Sequence, residues 1–375
     1  INAILAYDQA KLQLFFNEFF RNKGGISDGG AAVWALDFAT ITDQRSVYRA
    51  NRNEIAGAML LDENTSYDGT NVSFHANQAT NNNIATGGGA VVALQHAVVE
   101  CLSCIWSEND GGPQGGAVTI DQFSQGIFDD NLFQGNRALS AGAIADTSSE
   151  DIVITNSVFE ENQATRGSGG AMRSHSNAGE VTITGTQFID NTSKQIGGAV
   201  YFQGAQVTMD EVSAFNNSAY RQGGFLAMDE GLFDGSHLNV RLNRSVKSPM
   251  AGMSFFNTTI FNFSNSIIAG NTSPTSSSSL AAGVDLSPGT GNPPYVSVNY
   301  VTIAGNANTF AGGRLIGVGW MDHIVSAYNE GLQLEGTTSI TLNHSDLYSI
   351  PPGVGENGIW GPYQDGEANT NTDPQ

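Results

Sequence analysis

The sequence predicts an all-β protein, a right-handed parallel β-helix whose short strands stack coil on coil, and three observations predict it. A small-residue step ending in glycine returns about every 28 residues, and an asparagine preceded by a large apolar residue returns at the same interval. The composition agrees, with 45 glycines in 375 residues and only 14% charged residues, which suits strands joined by tight turns.

The glycines are Gly30, Gly57, Gly89, Gly116, Gly142, Gly170, Gly198, Gly224, Gly252, Gly283 and Gly313, spaced 26 to 32 residues apart. Each follows Gly or Ala, and the first seven precede Ala. A chain that turns sharply beside the backbone of the next coil needs small residues there. The asparagines are Asn22, Asn51, Asn77, Asn109, Asn136, Asn162, Asn191, Asn217, Asn243, Asn271 and Asn306. Three residues before them stand Phe19, Tyr48, Phe74, Trp106, Phe133, Phe159 and Phe188, then Val240, Ile268 and Ile303, with the apolar residue before Asn217 displaced to Phe215. The apolar residues are expected to fill the interior as a stack. The asparagines are expected to take a left-handed turn position and hydrogen-bond from coil to coil as a ladder.

Each period carries three runs of β-prone residues, such as Ile152 to Thr155. Runs this short cannot bury a face alone, but stacked in parallel at about 4.8 Å they pair above and below. Twelve or thirteen coils would make a rod of about 60 Å. No segment keeps a 3.6-residue apolar period with caps, so helices are not expected. The organisation read from this is one domain over residues 1–350 and a Pro/Gly/Asn-rich extension over 351–375. The chain starts within a coil, without Met, and is read as part of a longer precursor.

The formal charge of −21, with 15 basic residues, argues against nucleic acid and against docking on anionic lipid. No apolar run is long enough for a membrane-spanning helix. Cys101 and Cys104 lie in a strand-like run, where residues three apart face opposite ways, so two packed thiols are expected in place of a disulfide.

Phe159-Glu160-Glu161-Asn162 followed by Gly169-Gly170-Ala171-Met172, and Phe188-Ile189-Asp190-Asn191 followed by Gly197-Gly198-Ala199-Val200, resemble the paired repeats of the chlamydial polymorphic outer-membrane proteins. The likeness covers roughly residues 1 to 320. It implies secretion to the cell surface and adhesion, with a receptor, a polysaccharide or other copies of the chain as partners. The family's C-terminal membrane barrel is not seen in this sequence. Exposed strand edges would also suit assembly of copies into a filament.

Enzymatic readings rest on less. Trp320-Met321-Asp322-His323 is similar to the Trp-Ile-Asp-His motif of pectate lyases. In a lyase, Asp322 and Glu330 would serve calcium and Arg314 would abstract the proton α to the sugar carboxylate. The alternative is that Asp322 and His323 are turn residues beside a buried Trp320. Asp129-Asp130 and Glu160-Glu161 are adjacent pairs whose members face opposite ways on a strand, so neither makes a hydrolase dyad. No cofactor is implied, although Glu108-Asn109-Asp110 and Ser149-Glu150-Asp151 could take calcium. Nine Asn-x-Ser/Thr sequons occur, and three of them, at Asn191, Asn243 and Asn271, coincide with the ladder. The leading reading is a non-enzymatic extracellular or cell-surface protein, structural or adhesive. A polysaccharide lyase or glycoside hydrolase and a filament subunit stand as alternatives.

Overall fold

The computed structural model describes residues 3–25, 29–81, 87–148, 150–175, 179–248, 250–274, 281–287, 295–307, 311–315, 318–327, 332–336, 340–343, 345–347, 359–360 and 364–365. Among these residues there is no helix, and the strands stack in parallel as a β-solenoid. The chain divides into two compact units, Ile1–Lys194 and Gln195–Gln375. Together they account for about 11 turns of roughly 27 residues, slightly fewer and shorter than the spacing predicts.

In unit 1 each coil lays down three strands. One coil supplies Val118–Ile120 to a first wall, Gln125–Asp129 to a second and Leu132–Gln134 to a third, followed by the two-residue Arg137–Ala138. Each pairs in parallel with its counterparts in the neighbouring coils, as in Val91↔Val118↔Ile144 and Trp106↔Phe133↔Phe159. The second wall alternates, with Ile152 and Ile154 inward and Val153 half-buried, as a pleated strand requires. The first wall is buried on both faces, as at Val91-Val92-Ala93. Its outer side is covered by the stretch that leads to the glycine step. There Ile55 packs with Leu60 and Val92, and Thr119 Oγ1 donates to the Gly87 carbonyl at 2.9 Å.

The glycine step is tight for the expected reason. A Cβ on Gly89, Gly116 or Gly142 would stand 1.9, 1.8 or 1.9 Å from the carbonyl oxygen of Gly116, Gly142 or Gly170 in the next coil. The residue before often has a left-handed backbone, as at Gly169 (φ 69°) and even Ala141 (φ 56°).

The corner beside the ladder differs from expectation. The left-handed residue is the one before each ladder asparagine, not the asparagine. Arg21, Ala50, Ala76, Glu108, Glu161 and Asp190 have φ between 51° and 55°, and Gly135 has 62°. The same holds in unit 2 at Asn216, Leu242, Gly270 and Gly305. The corner residue turns the chain so that the asparagine side chain points inward. It costs about 1–2 kcal/mol for a residue with a Cβ. A hydrogen bond to the next coil helps hold it, as when Ala76 N–H donates to Ser107 O at 2.9 Å.

Inside unit 1 two files run along the coils. Phe19, Tyr48, Phe74, Trp106, Phe133, Phe159 and Phe188 stack with ring centroids 4.2 to 5.6 Å apart and planes within 13° of parallel. Beside them the asparagines form the ladder. Asn77 accepts at Oδ1 from the backbone N–H and Nδ2 of Asn51, at 3.1 and 2.9 Å. Its own Nδ2 donates to Asn109 Oδ1 at 3.0 Å and to the Tyr48 carbonyl at 2.8 Å. Each buried amide is therefore fully used, at about 1 kcal/mol per bond. Asn243 repeats the arrangement in unit 2, donating to Asn271 Oδ1 and to the Ala214 carbonyl.

Two further expectations are corrected. Cys101 and Cys104 are joined by a disulfide, with Cα atoms 5.9 Å apart. Ser103, at φ 54°, turns the chain between them, so both sulfurs face the interior and strand alternation does not apply. In unit 2 the stack position before Asn217 is filled by Ala214, fully buried and paired with Val240; Phe215 lies one residue on and only half-buried.

Candidate functional site

The motif Trp320 to His323 lies in unit 2 on the strand Val318–Ala327, paired with Tyr295–Ala304 and Ile340–Asn343. Trp320 is 39% exposed and not buried as expected. It follows the pleat, which turns Met321 inward and Trp320 out. Its Nε1 donates to the Tyr295 hydroxyl at 3.1 Å. His323 turns the chain at φ 52°, stacks on Tyr300 at 4.4 Å and places Nδ1 3.0 Å from Asp322 Oδ1. Asp322 stands in register with Asn299 and Asn343, so its strand neighbours are amides and not carboxylates. Arg314 lies on a different strand, Ala311–Leu315, in register with Asp285 and Glu335. Glu330 lies outside the described residues. The corner as seen is an aromatic and polar surface, with Trp320 bonded to the Tyr295 hydroxyl and the His323 imidazole stacked on Tyr300 beside the Asp322 carboxylate.

The acidic pairs serve the coils. Asp129 Oδ1 accepts from Thr155 Oγ1 at 2.7 Å and Asn156 Nδ2 at 2.9 Å, one coil on, and these bonds hold its carboxyl below the usual range. Asp210 in unit 2 is held low in the same way, by Ser236 Oγ at 2.6 Å and His237 Nδ1 at 2.8 Å. Asp130 accepts from Ser103 Oγ, and Glu160 from Gln134 Nε2. These are rungs between coils, more constrained than solvated turn carboxylates. Among the described residues no cluster of three His, Cys, Asp or Glu side chains could hold a metal, which includes Glu108 with Asp110 and Glu150 with Asp151.

Two carboxyls that sequence reasoning did not single out lie inside unit 1. Asp43 is fully buried, accepting from the Tyr48 hydroxyl at 2.7 Å and, more weakly, from Tyr67 at 3.4 Å, and burial pushes its pKa up. Gly69 occupies the same position one coil on, where a Cβ would meet the Tyr67 ring at 2.7 Å. Asp146 is pushed up to about 7 by burial, while Ser174 Oγ and the Ser148 N–H donate to it at 2.7 and 2.9 Å. The only sequence signal for either was an acid at an inward position of a strand.

No protein-family model matches the sequence, and no curated protein matches it as a relative.

Ordered outward surfaces remain to be explained. In unit 1 the third wall carries Phe20 beneath the Arg49 guanidinium, 4.1 Å from ring centroid to carbon, and Phe16 beneath Arg45 at 5.5 Å. A shallow depression is lined by Gln9, Lys11, Phe38 and Thr40, with no carboxylate among them. The walls can present rings, amides and charges in rows.

Proposed function

We propose that this chain is an extracellular or cell-surface protein, structural or adhesive, that works through the outer walls of its β-solenoid and not by catalysis. One observation carries the reading. The buried amides of the ladder satisfy one another from coil to coil, so the interior supports itself and the outer side chains stand in fixed rows about 4.8 Å apart. Rows of that kind bind by repetition, and the exposed ring pairs Tyr295 with Trp320 and Tyr300 with His323 offer faces for a partner. The repeat resemblance to polymorphic outer-membrane proteins supports the same reading. The Cys101–Cys104 disulfide suits an oxidising compartment.

The test is twofold. Surface labelling and protease shaving of intact producing cells should reach the protein, and purified chain should bind cell layers or immobilised glycans, weakened by Trp320→Ala with Tyr300→Ala. Protein confined to the cytosolic fraction would end the reading.

The aspartate and imidazole at Asp322 and His323 keep a lyase as a second reading. Calcium-dependent release of unsaturated product from polygalacturonate, abolished in Asp322→Ala, would establish it in place of the first.

A further inference from the structure

The third wall of unit 1, with the corners flanking it, runs from basic to acidic along seven successive coils. The first two coils carry exposed Arg21, Lys23, Arg45, Arg49 and Arg52, and the wall's one acid there, Glu18, is paired with Arg49. These are five of the chain's 15 basic residues, gathered in two coils of a protein with formal charge −21. The third coil, through Ser73 and His75, carries no formal charge on this wall. From the fourth to the seventh coil the same wall carries Glu108, Asp110, Asp130, Glu160, Glu161 and Asp190, with Arg137 the single base.

The central row of this wall is in strict register: Glu18, Val47, Ser73, Ile105, Leu132, Val158 and Gln187. Its midpoint is Ile105, an isoleucine left 45% exposed. The next row runs Phe20, Arg49, His75, Ser107, Gln134, Glu160 and Ile189, with Phe20 41% exposed.

We infer that this wall is the contact face of an antiparallel two-fold dimer with a second copy of the chain. A face that is basic at one end, acidic at the other and apolar at its centre complements itself when one copy is reversed, whereas a parallel pairing would set like charges together. A two-fold axis lying along the strands through Ile105 brings each coil opposite the coil equally far from the centre. Arg49 then meets Glu160 of the second copy, Arg21 meets Asp190, Phe20 meets Ile189, and Val47 meets Val158. Ile105 meets its own copy. Seven coils at about 4.8 Å, by strands and corners spanning about 25 Å, give about 800 Å² per partner, the size of a standard stable interface. Of the charged residues, Glu108 and Asp110 on this central coil would meet their own copies, so this geometry also predicts where the contact is weakest.

Pairing of this kind goes beyond the adhesive reading and holds whether or not that reading is right. Sedimentation velocity on the full chain tests it. A reversible dimer is expected in 50 mM NaCl, with a dissociation constant at least about tenfold weaker in 500 mM NaCl. Arg21→Glu with Arg49→Glu should give a monomer, and so should Glu160→Arg with Asp190→Arg, each with unchanged circular dichroism and melting. Mixing the two variants should restore a dimer, because each substituted acid of one variant then faces a base of the other at the Arg21–Asp190 and Arg49–Glu160 contacts. Glu108→Gln should tighten the wild-type dimer. A wild-type chain that stays monomeric in low salt, or a mixture of the variants that fails to associate, would overturn the inference. So would a monomer whose basic end retains heparin, used as a polyanion probe, since that end would then serve an acidic polymer.

Discussion

Unit 1 and unit 2 carry the same asparagine ladder beside different fillings. In unit 1 the ladder runs along seven stacked aromatic rings. In unit 2 the equivalent positions are Ala214, Val240, Ile268 and Ile303, all buried and none aromatic. Yet the amide contacts are alike, 3.0 Å for Asn109 to Asn136 and 2.9 Å for Asn271 to Asn306. The ladder therefore fixes the coil, and the filling adapts to it. An amide must meet a partner at one distance and angle, whereas an apolar side chain needs only volume.

The sharpest way to break this comparison is to attack the ladder in both units. Asn109→Asp replaces a donor by a charged acceptor facing the Asn136 oxygen and the Phe74 carbonyl, and should cost about 5 kcal/mol. Asn243→Asp should cost the same in unit 2, facing Asn271 and Ala214. Native-state hydrogen exchange, which reports each unit separately, should show equal local losses of protection. Unequal losses would mean the filling does more than occupy space. Removing the filling should be less uniform. Phe133→Ala removes a stacked ring and should cost about 3–5 kcal/mol, against about 2–4 kcal/mol for Ile268→Ala. Denaturant titration with a probe in each unit would rank them.

The interior carboxyls give unit 1 a pH response. Asp43 and Asp146 have folded pKa values raised by burial, so their contribution is complete below the unfolded value of 3.8 and is lost as pH rises through the folded value, about 7 for Asp146. Unit 1 should gain stability as pH falls from 7 toward 5, and Asp146→Asn should flatten that slope. The rim carboxylates act oppositely. Asp129 and Asp210 are held low, so their contribution is present above 3.8 and fades only at more acid pH. Melting temperatures across that range would separate the two. The smallest effect is expected at the corners. Glu161→Gly, at φ 55°, should stabilise by about 0.5–1 kcal/mol, because relief of the left-handed strain exceeds the added freedom of the unfolded chain.

What the sequence disclosed was what repeats. The glycines and ladder asparagines return because backbone meets backbone and amide meets amide at every coil, and no other residue serves. The corners were hidden because any residue held by its neighbours can stand there, from Arg21 to Leu242. The disulfide was hidden because a strand reading assumed alternation that Ser103 breaks. Ala214 was hidden because the nearby Phe215 looked like the missing ring, although one residue along a strand changes the face. The candidate site was less legible still. Trp320 to His323 could be read as a motif, but its exposure and ring partners come from neighbouring coils about 25 residues away in sequence. The charge gradient on unit 1 emerges only when residues far apart in the chain are laid in register.

The glycine beside the next coil's carbonyl has a consequence for how such a chain can change over generations. Since turns such as those at Gly89, Gly116 and Gly142 offer their successors the same flat, side-chain-free seat, whole turns can be duplicated or excised between such glycines while the joints stay chemically identical. Length is therefore the property that drifts most freely, and single substitutions at the seat are the least forgiving.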